Sequence, residues 1–322
     1  MAKFSFDLKA LDVFVMAAKT GNMTEAALKL KLSQSSVSQI LSQLESSLGV
    51  ELLDRTVRPI ELTVAGRYFY DQSVYLLKQA DKTQQVITKG SFDKLHLVRL
   101  AIVDSMASTL GKPIIDSVKS HTENWMMTTG FSHLHQQGLL SRTVDIIISD
   151  DALPRHDDLQ RFRLLKEPFV LLVPTTFHEK IPNITSLRQL SAHLDFVRYS
   201  SQSVIGQSIE TYIRQQGLDI AARMTLDNTF AITSAVADGL GWTITTPLCL
   251  LQGDVFDKKL TCLPLPDSEG FSRYLTLVAR RNELGDLPER LAKDSRVIIQ
   301  RHFLPKVKQA LPWIYDAIKI GS

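Results

Sequence analysis

The stretch SQSSVSQILSQLESSLG, residues 33–49, decides how the first 90 residues are read. Val37, Ile40, Leu41, Leu44 and Leu48 recur at three- and four-residue steps, so one helix face is apolar. Ser33 stands where an N-cap belongs, and Gly49 where the helix must stop. The opposite face holds Ser33, Gln34, Ser35, Ser36, Ser38, Gln39, Ser42 and Gln43, without one charge. A merely solvated helix normally carries Lys and Glu, whereas Ser is a mediocre helix former. Small hydroxyls and amides suit a DNA major groove. Gln pairs with adenine through two hydrogen bonds, and Ser reaches bases or phosphate oxygens at short range.

Working outward, Leu8, Leu11, Val15 and Ala18 share one face of a helix over residues 7–19, and Gly21-Asn22 stops it. Thr24 is the expected N-cap of a short second helix over 25–30. Three helices with a tight second turn form a helix-turn-helix pattern. Residues 52–63 read as a short hairpin, with Pro59 suited to a turn or an edge, and so as a wing. Thr63 then caps a helix reaching Lys89. Twenty-six residues span about 39 Å. Phe69, Leu76, Ala80 and Ile87 lie near heptad positions, so this helix is a connector or a dimerisation rod.

Beyond residue 94 strand-like runs alternate with helical ones, at 98–103, 144–148, 169–173, 196–199, 243–246 and 274–278. That alternation predicts an α/β region with a largely parallel sheet, the boundary falling at Lys89-Gly90-Ser91. The 322-residue length fits two or three domains. At 44% hydrophobic and 22% charged, the composition excludes disordered and fibrous classes. No apolar run is long enough to span a bilayer, and the opening MAKFSFD is not a secretory signal, so a cytoplasmic protein is expected. Cys249 and Cys262 are too few for a disulfide framework. A net charge of +3 permits a nucleic-acid partner without demanding one.

Residues 7–66 resemble the winged helix-turn-helix of LysR-type transcriptional regulators. The matching residues are Leu11, Phe14, Ala17, Gly21, Thr24, Ala26, Ala27, Leu30, Ser33, Gln34, Val37, Ser38, Ile40, Leu44, Glu45, Leu48, Gly49, Leu52, Leu53, Arg55, Leu62, Thr63 and Gly66. Further on, VDIII at 144–148 and VADGLGWTITTP at 236–247 resemble segments of the family's effector half. The resemblance implies an α+β multidomain chain. A winged helix-turn-helix domain would occupy 1–66, a linker and dimerisation helix 67–90, and an effector-binding region 91–322 of two α/β subdomains with periplasmic-binding-protein type II architecture. It implies dimers and tetramers built as a dimer of dimers, operator DNA with inverted repeats, a small-molecule effector, RNA polymerase as a further partner, and association with the nucleoid. By position, Gln34, Ser36, Ser38 and Gln39 face DNA. Thr24 and Ser33 contact phosphate, with amides at the helix start helping, and Arg55 and Arg58 on the wing reach phosphate or the minor groove. For Arg55 a salt bridge within the wing is the competing reading. The family commonly has Pro at position 35, a basic residue at 39 and often one at 25, where this chain has Ser35, Gln39 and Glu25. Residues 1–90 hold 11 Lys and Arg against 9 Asp and Glu, which predicts weak non-specific binding.

In the second half, ligands are expected beyond the C-terminal ends of strands. The candidates are Ser105, Met106, Thr129, Ser149, Ser200, Ser201, Thr229 and Thr246. In the family, positions equivalent to Ser105, Ser200, Ser201 and Thr229 often touch the effector; helix capping is the alternative role. The effector is expected to be a carboxylate or an aromatic compound. A carboxylate is favoured if Arg198, one of two nearby cations with Arg142, points into the cleft rather than into an external salt bridge. No catalytic motif is present, and His133 and His135, two residues apart, split a helix face rather than pair on a metal. No cofactor is expected. Two alternatives stand beside the regulator. One is a thiol-redox response through Cys249 or Cys262, although Cys249 sits in an apolar run that reads as core. The other is a solute-binding module whose head serves only for assembly. Residues 305–321 read as one added amphipathic helix with Val307, Leu311, Ile314 and Ile318 on one side.

Overall fold

Alternating helical and strand periodicity separates the chain at its linker, and the computed structural model divides it into two units, Met1–Phe92 and Asp93–Ser322. Residues 5–89, 94–182, 186–252 and 259–321 are described; Gly90 and Ser91 of the expected boundary lie outside them. In the first unit α1 spans Leu8–Thr20, α2 Met23–Leu30 and α3 Gln34–Leu48, followed by β1 Leu53–Asp54, β2 Glu61–Leu62 and α4 Val64–Lys89. The caps explain the starts. Asp7 accepts the Ala10 N–H at 2.8 Å and Ser33 accepts that of Ser36 at 3.1 Å. The expectation that Thr24 caps α2 is corrected. Asn22 Oδ1 accepts the N–H groups of Thr24 and Glu25 at 2.8 and 3.3 Å, so the helix begins earlier and Thr24 lies in its first turn.

Phe14, Ala17, Ala26, Val37, Leu41, Leu44 and Leu52 form the core of this unit, and Phe69 of α4 packs edge-on to Phe14 at 5.2 Å. β1 and β2 pair antiparallel, with Leu53 opposite Leu62. Glu45 of α3 ties the wing down, its Oε1 accepting the N–H groups of Leu52 and Leu53 at 2.8 and 3.1 Å. Thr63 caps α4 as expected, its Oγ1 accepting the Gly66 N–H at 2.9 Å. A Cβ on Gly66 would lie 1.8 Å from the Leu52 carbonyl oxygen, so α4 docks on the wing through a glycine. Phe69 is half-buried, whereas Tyr68, Tyr75, Leu76 and Ile87 leave an apolar stripe of α4 exposed.

The second unit begins with β3 Leu95–Ile102, α5 Asp104–Lys119, β4 Thr122–Thr129, α6 Ser132–Leu140, β5 Ile146–Ser149 and β6 Leu159–Pro168. It continues through β7 Val170–Pro174, α7 Thr175–Lys180, α8 Leu187–His193, β8 Val197–Tyr199, α9 Val204–Gln215, β9 Met224–Leu226, α10 Thr229–Ala237, β10 Thr243–Thr245 and α11 Pro247–Leu250. It closes with β11 Leu260–Pro264, β12 Ser272–Arg280, α12 Leu287–Ile298, α13 Leu304–Ala310 and β13 Lys319–Ile320. One sheet has the order β13-β6-β12-β5-β3-β4. The other has β10-β7-β11, and a parallel bridge between Phe196 and Trp242 joins β10 to the β8-β9 pair. The chain crosses between these lobes twice, from β6 to β7 and from β11 to β12. Phe169 and Phe271 of the two crossings stack at 4.1 Å. Gly241 permits the bridge: a Cβ there would lie 2.2 Å from the Asp195 carbonyl oxygen.

Two expectations are corrected. The sheets are mixed rather than largely parallel. β3 is parallel to β4 and β5, but β12 runs antiparallel to β5 and β6, and β7 to β10 and β11. Each returning crossing brings a strand back against its neighbours. The C-terminal segment is not one helix. Pro312 lacks the amide that would continue α13, a 3-10 turn follows over Pro312–Ala317, and β13 then pairs with β6. Val307, Leu311, Ile314 and Ile318 are nonetheless all buried, in the second unit. Among the described residues no helix is long and apolar enough to cross a membrane.

Candidate functional site

The polar face of α3 follows from its periodicity: burying Val37, Leu41 and Leu44 turns Gln34, Ser35, Gln39, Ser42 and Gln43 outward. Ser36 and Ser38 are half-buried at its edge. At the helix start Ser33 Oγ lies 2.9 Å from Ser35 Oγ and 2.7 Å from Ser36 Oγ, a hydroxyl cluster around the oxygen that also accepts the Ser36 N–H. Thr24 is exposed on α2 and Arg58 on the wing. Arg55 is also exposed but engaged: its Nη2 donates to Glu45 Oε2 at 2.5 Å and its Nη1 to Ser42 Oγ at 3.5 Å. The salt bridge of Arg55 thus runs to α3 rather than within the wing, and it holds the guanidinium beside the polar face of that helix.

The second site is a cavity of about 40 Å³ between the lobes. The starts of four helices border it: Asp104 and Ser105 of α5, Ser132 of α6, Val204 and Ile205 of α9, and Thr229 of α10. Asp150, Tyr199, Asp227, Cys249 and Arg273 also line it. Arg273 binds the site together. Its Nε donates to Asp150 at 3.2 Å, and its Nη1 to Ser105 Oγ at 3.1 Å and Glu167 Oε1 at 3.5 Å, with Cys249 Sγ at 3.3 Å. Asp150 also accepts from the Ser132 hydroxyl. Burial pushes the Glu167 carboxyl above the usual carboxylate range, while Arg273 and the Leu248 N–H, 2.8 Å away, work against that. Burial opposes the charge on Arg273, but Cys249, Asp150, Glu167 and Tyr199 outweigh it, so the guanidinium sits above its ordinary value. Burial likewise raises the Tyr199 hydroxyl, which lies 2.7 Å from Thr245 Oγ1.

Of the residues singled out by sequence, Ser105 and Thr229 line the cavity. Met106, Ser149 and Thr246 are buried outside its lining, and Thr129 is exposed at the end of β4. Ser200 accepts the Gln202 N–H at 3.2 Å, and exposed Ser201 borders a separate depression with Arg198, Glu210 and Arg214. Neither cation considered from sequence reaches the cavity. Arg198 donates to Glu210 and to the Ile220 carbonyl, and Arg142 pairs with Glu283 at 2.6 Å. The cation that is there, Arg273, was missed; its signal was a charge beside an apolar run. Among the described residues no group of His, Cys, Asp and Glu is placed to hold a metal. Both cysteines are free thiols, and burial pushes Cys262 up to about 12.

A family model described as "Bacterial regulatory helix-turn-helix protein, lysR family" matches residues 8–67, and one described as "LysR substrate binding domain" matches residues 96–292. The chain is 27% identical over 281 residues to the RuBisCO operon transcriptional regulator of Allochromatium vinosum, spanning 86% of this chain and 90% of that protein. It is 28% identical over 248 residues to the transcriptional activator CmpR of Synechocystis, spanning 74% of this chain and 78% of the other. Its fold is similar to that of a Corynebacterium glutamicum OxyR C206 mutant, with a TM-score of 0.69 at 19% identity and 98% of both chains covered. It is also similar to CbnR solved with its target DNA, with a TM-score of 0.51 at 19% identity, covering 91% of this chain and all of the other. The relatives named by sequence are transcriptional regulators rather than enzymes.

Proposed function

The chain belongs to the LysR family and is a DNA-binding transcriptional regulator with an effector-binding domain, and from that premise we propose how it reads its operator and where its effector acts. α3 enters the major groove with Gln34, Ser36, Ser38 and Gln39 toward base edges. Thr24, Ser33 and Arg58 hold phosphates, and Arg55 exchanges Glu45 for a phosphate on binding. The observation that carries this reading is the exposed, uncharged face of α3. Such a face gains little from counterion release, so it must obtain affinity from base contacts and from several heads acting together. The exposed apolar stripe of α4 supports pairing of two subunits, and a dimer of dimers would address an interrupted inverted repeat. The protein works in the cytoplasm on nucleoid DNA and contacts RNA polymerase there. The effector binds in the cavity between the lobes. Ser105 and Thr229 are its contacts among the residues expected from sequence, and Asp104 and Asp227 join them, with Arg273 holding Ser105 in place.

Selection of genomic fragments by the full-length protein at two salt concentrations tests the DNA half. An inverted repeat enriched more strongly at low salt, and lost with Gln34→Ala and Gln39→Ala together, is the expected result. Equal enrichment by the double variant would overturn the assignment of that face.

A further inference from the structure

We propose that the effector is a small zwitterion of the α-amino acid class; this rests on reading the cavity as the effector site. The cavity carries opposite charges in separate places. α5 and α6, of 16 and 9 residues, begin at it with no side-chain cap, so their first amides point to an acceptor that the helices do not supply. With α9 and α10 also starting there, each helix contributes about half a positive charge. Against this stand Asp104 from one lobe and Asp227 from the other. Among the described residues neither has an ion-pair partner, whereas Asp150 is already held by Arg273 and Ser132. A simple anion would leave the two free carboxylates unpaired, and a simple cation would leave the helix starts unpaired.

The buried polar groups agree. Thr229 is 9% exposed; its hydroxyl lies 4.0 Å from Cys249 Sγ, at the outer limit of such a bond, and also bonds to the Tyr199 hydroxyl, which leaves oxygen lone-pair and proton capacity to be shared with a ligand. Ser105 is 2% exposed; its oxygen accepts from Arg273, which leaves its own proton to give. Arg273 is occupied by Asp150 and Glu167 and is not free to clamp a ligand carboxylate. The ammonium of the ligand bridges Asp104 and Asp227 and so draws the lobes together. Its carboxylate takes the Ser105 and Thr229 hydroxyls and the amides at the start of α6. A space of about 40 Å³ has room for only a few waters, which makes the small amino acids glycine, alanine and serine the first to test.

Thermal unfolding of the full-length protein with glycine, L-alanine, L-serine, ethylamine or propionate at matched ionic strength tests this. At least one amino acid should raise the Tm by about 3 °C or more, with ethylamine and propionate inert. Asp104→Asn and Asp227→Asn should each weaken the apparent affinity at least tenfold, while the ligand-free Tm changes little. Propionate or ethylamine matching the amino acids overturns the zwitterion, as does silence from all three amino acids. Thr229→Trp, which fills the cavity, separates the two readings. A propionate or ethylamine response lost in that variant leaves the cavity as the effector site. A response to any of the five that survives it overturns both.

Discussion

The polar face of α3 and the cavity of the second unit, read as proposed, would solve recognition in opposite ways. The first is a single run of residues, exposed and uncharged. The second gathers Asp104, Asp150, Asp227 and Arg273 from distant segments and buries a cation among acids. An exposed face spends nothing on desolvation, so its residues are free to be chosen for a partner. A buried charge must be matched inside the fold before it can serve anything else. Substitutions on α3 should therefore cost binding and spare stability, and substitutions in the Arg273 network should do the reverse.

The largest effect is expected at Arg273→Met. It strands Asp150 and Glu167 without their shared cation, which should cost about 3–5 kcal/mol in the second unit. Urea unfolding followed by Trp242 fluorescence reads that unit, since Trp242 lies fully buried in its core. A loss below about 1 kcal/mol would mean that the acids are neutralised without the guanidinium, and would break the contrast. Next is Gly66→Ala, where the new Cβ meets the Leu52 carbonyl. A cost of about 1–3 kcal/mol confined to the first unit is expected. Smaller on stability, and informative for that reason, is Gln39→Ala. It should leave unfolding within about 0.5 kcal/mol of wild type and lower affinity for the selected operator by about 1–3 kcal/mol. Equal affinities at both salt concentrations would remove Gln39 from the base contacts.

The same contrast decides what was legible in the sequence. The head was readable because helical period and capping are local: Val37, Leu41 and Leu44 announce a face, and Ser33 and Gly49 its ends. Even there the sequence points to Thr24 as the cap of α2, and only the chain geometry shows the Asn22 oxygen, two residues earlier, reaching two amides. The cavity was half readable. Ser105 and Thr229 follow from the rule that ligands meet strand ends and helix starts. Arg273 and Glu167 did not, because their meaning lies in register. They stand opposite each other on β12 and β6, and nothing in the sequence sets that pairing. β6 itself was missed because Arg161, Arg163, Lys166 and Glu167 interrupt its apolar residues. Arg161 is accommodated by giving its protons to the carbonyls of Ala152, Leu159 and His156.

The smallest expected effect separates the two regions by pH. The polar face of α3 offers only hydroxyls and amides, so the base contacts proposed for it should not change between about pH 5.5 and pH 7.5. Near the cavity, His135 of α6 is buried with neither ring nitrogen bonded. Burial holds its pKa below the ordinary value; Asp104 and Asp150 oppose that, and His133 adds to it. The folded protein thus prefers the neutral ring, and the unfolded chain takes up the proton first as the pH falls. The stability contributed by the neutral ring is complete above about pH 6.5 and is lost as the pH drops from there through the lower folded value. His135→Gln removes this titration. Wild type should therefore lose more stability than His135→Gln on acidification over that range, measured by urea unfolding at each pH, with the operator contacts of α3 unchanged in both. Parallel losses would mean that the ring titrates alike in the folded and unfolded chain, and a smaller loss in wild type would mean that Asp104 and Asp150 hold it protonated in the fold. In that case the acids around the cavity would have one cation more than the Arg273 network supplies.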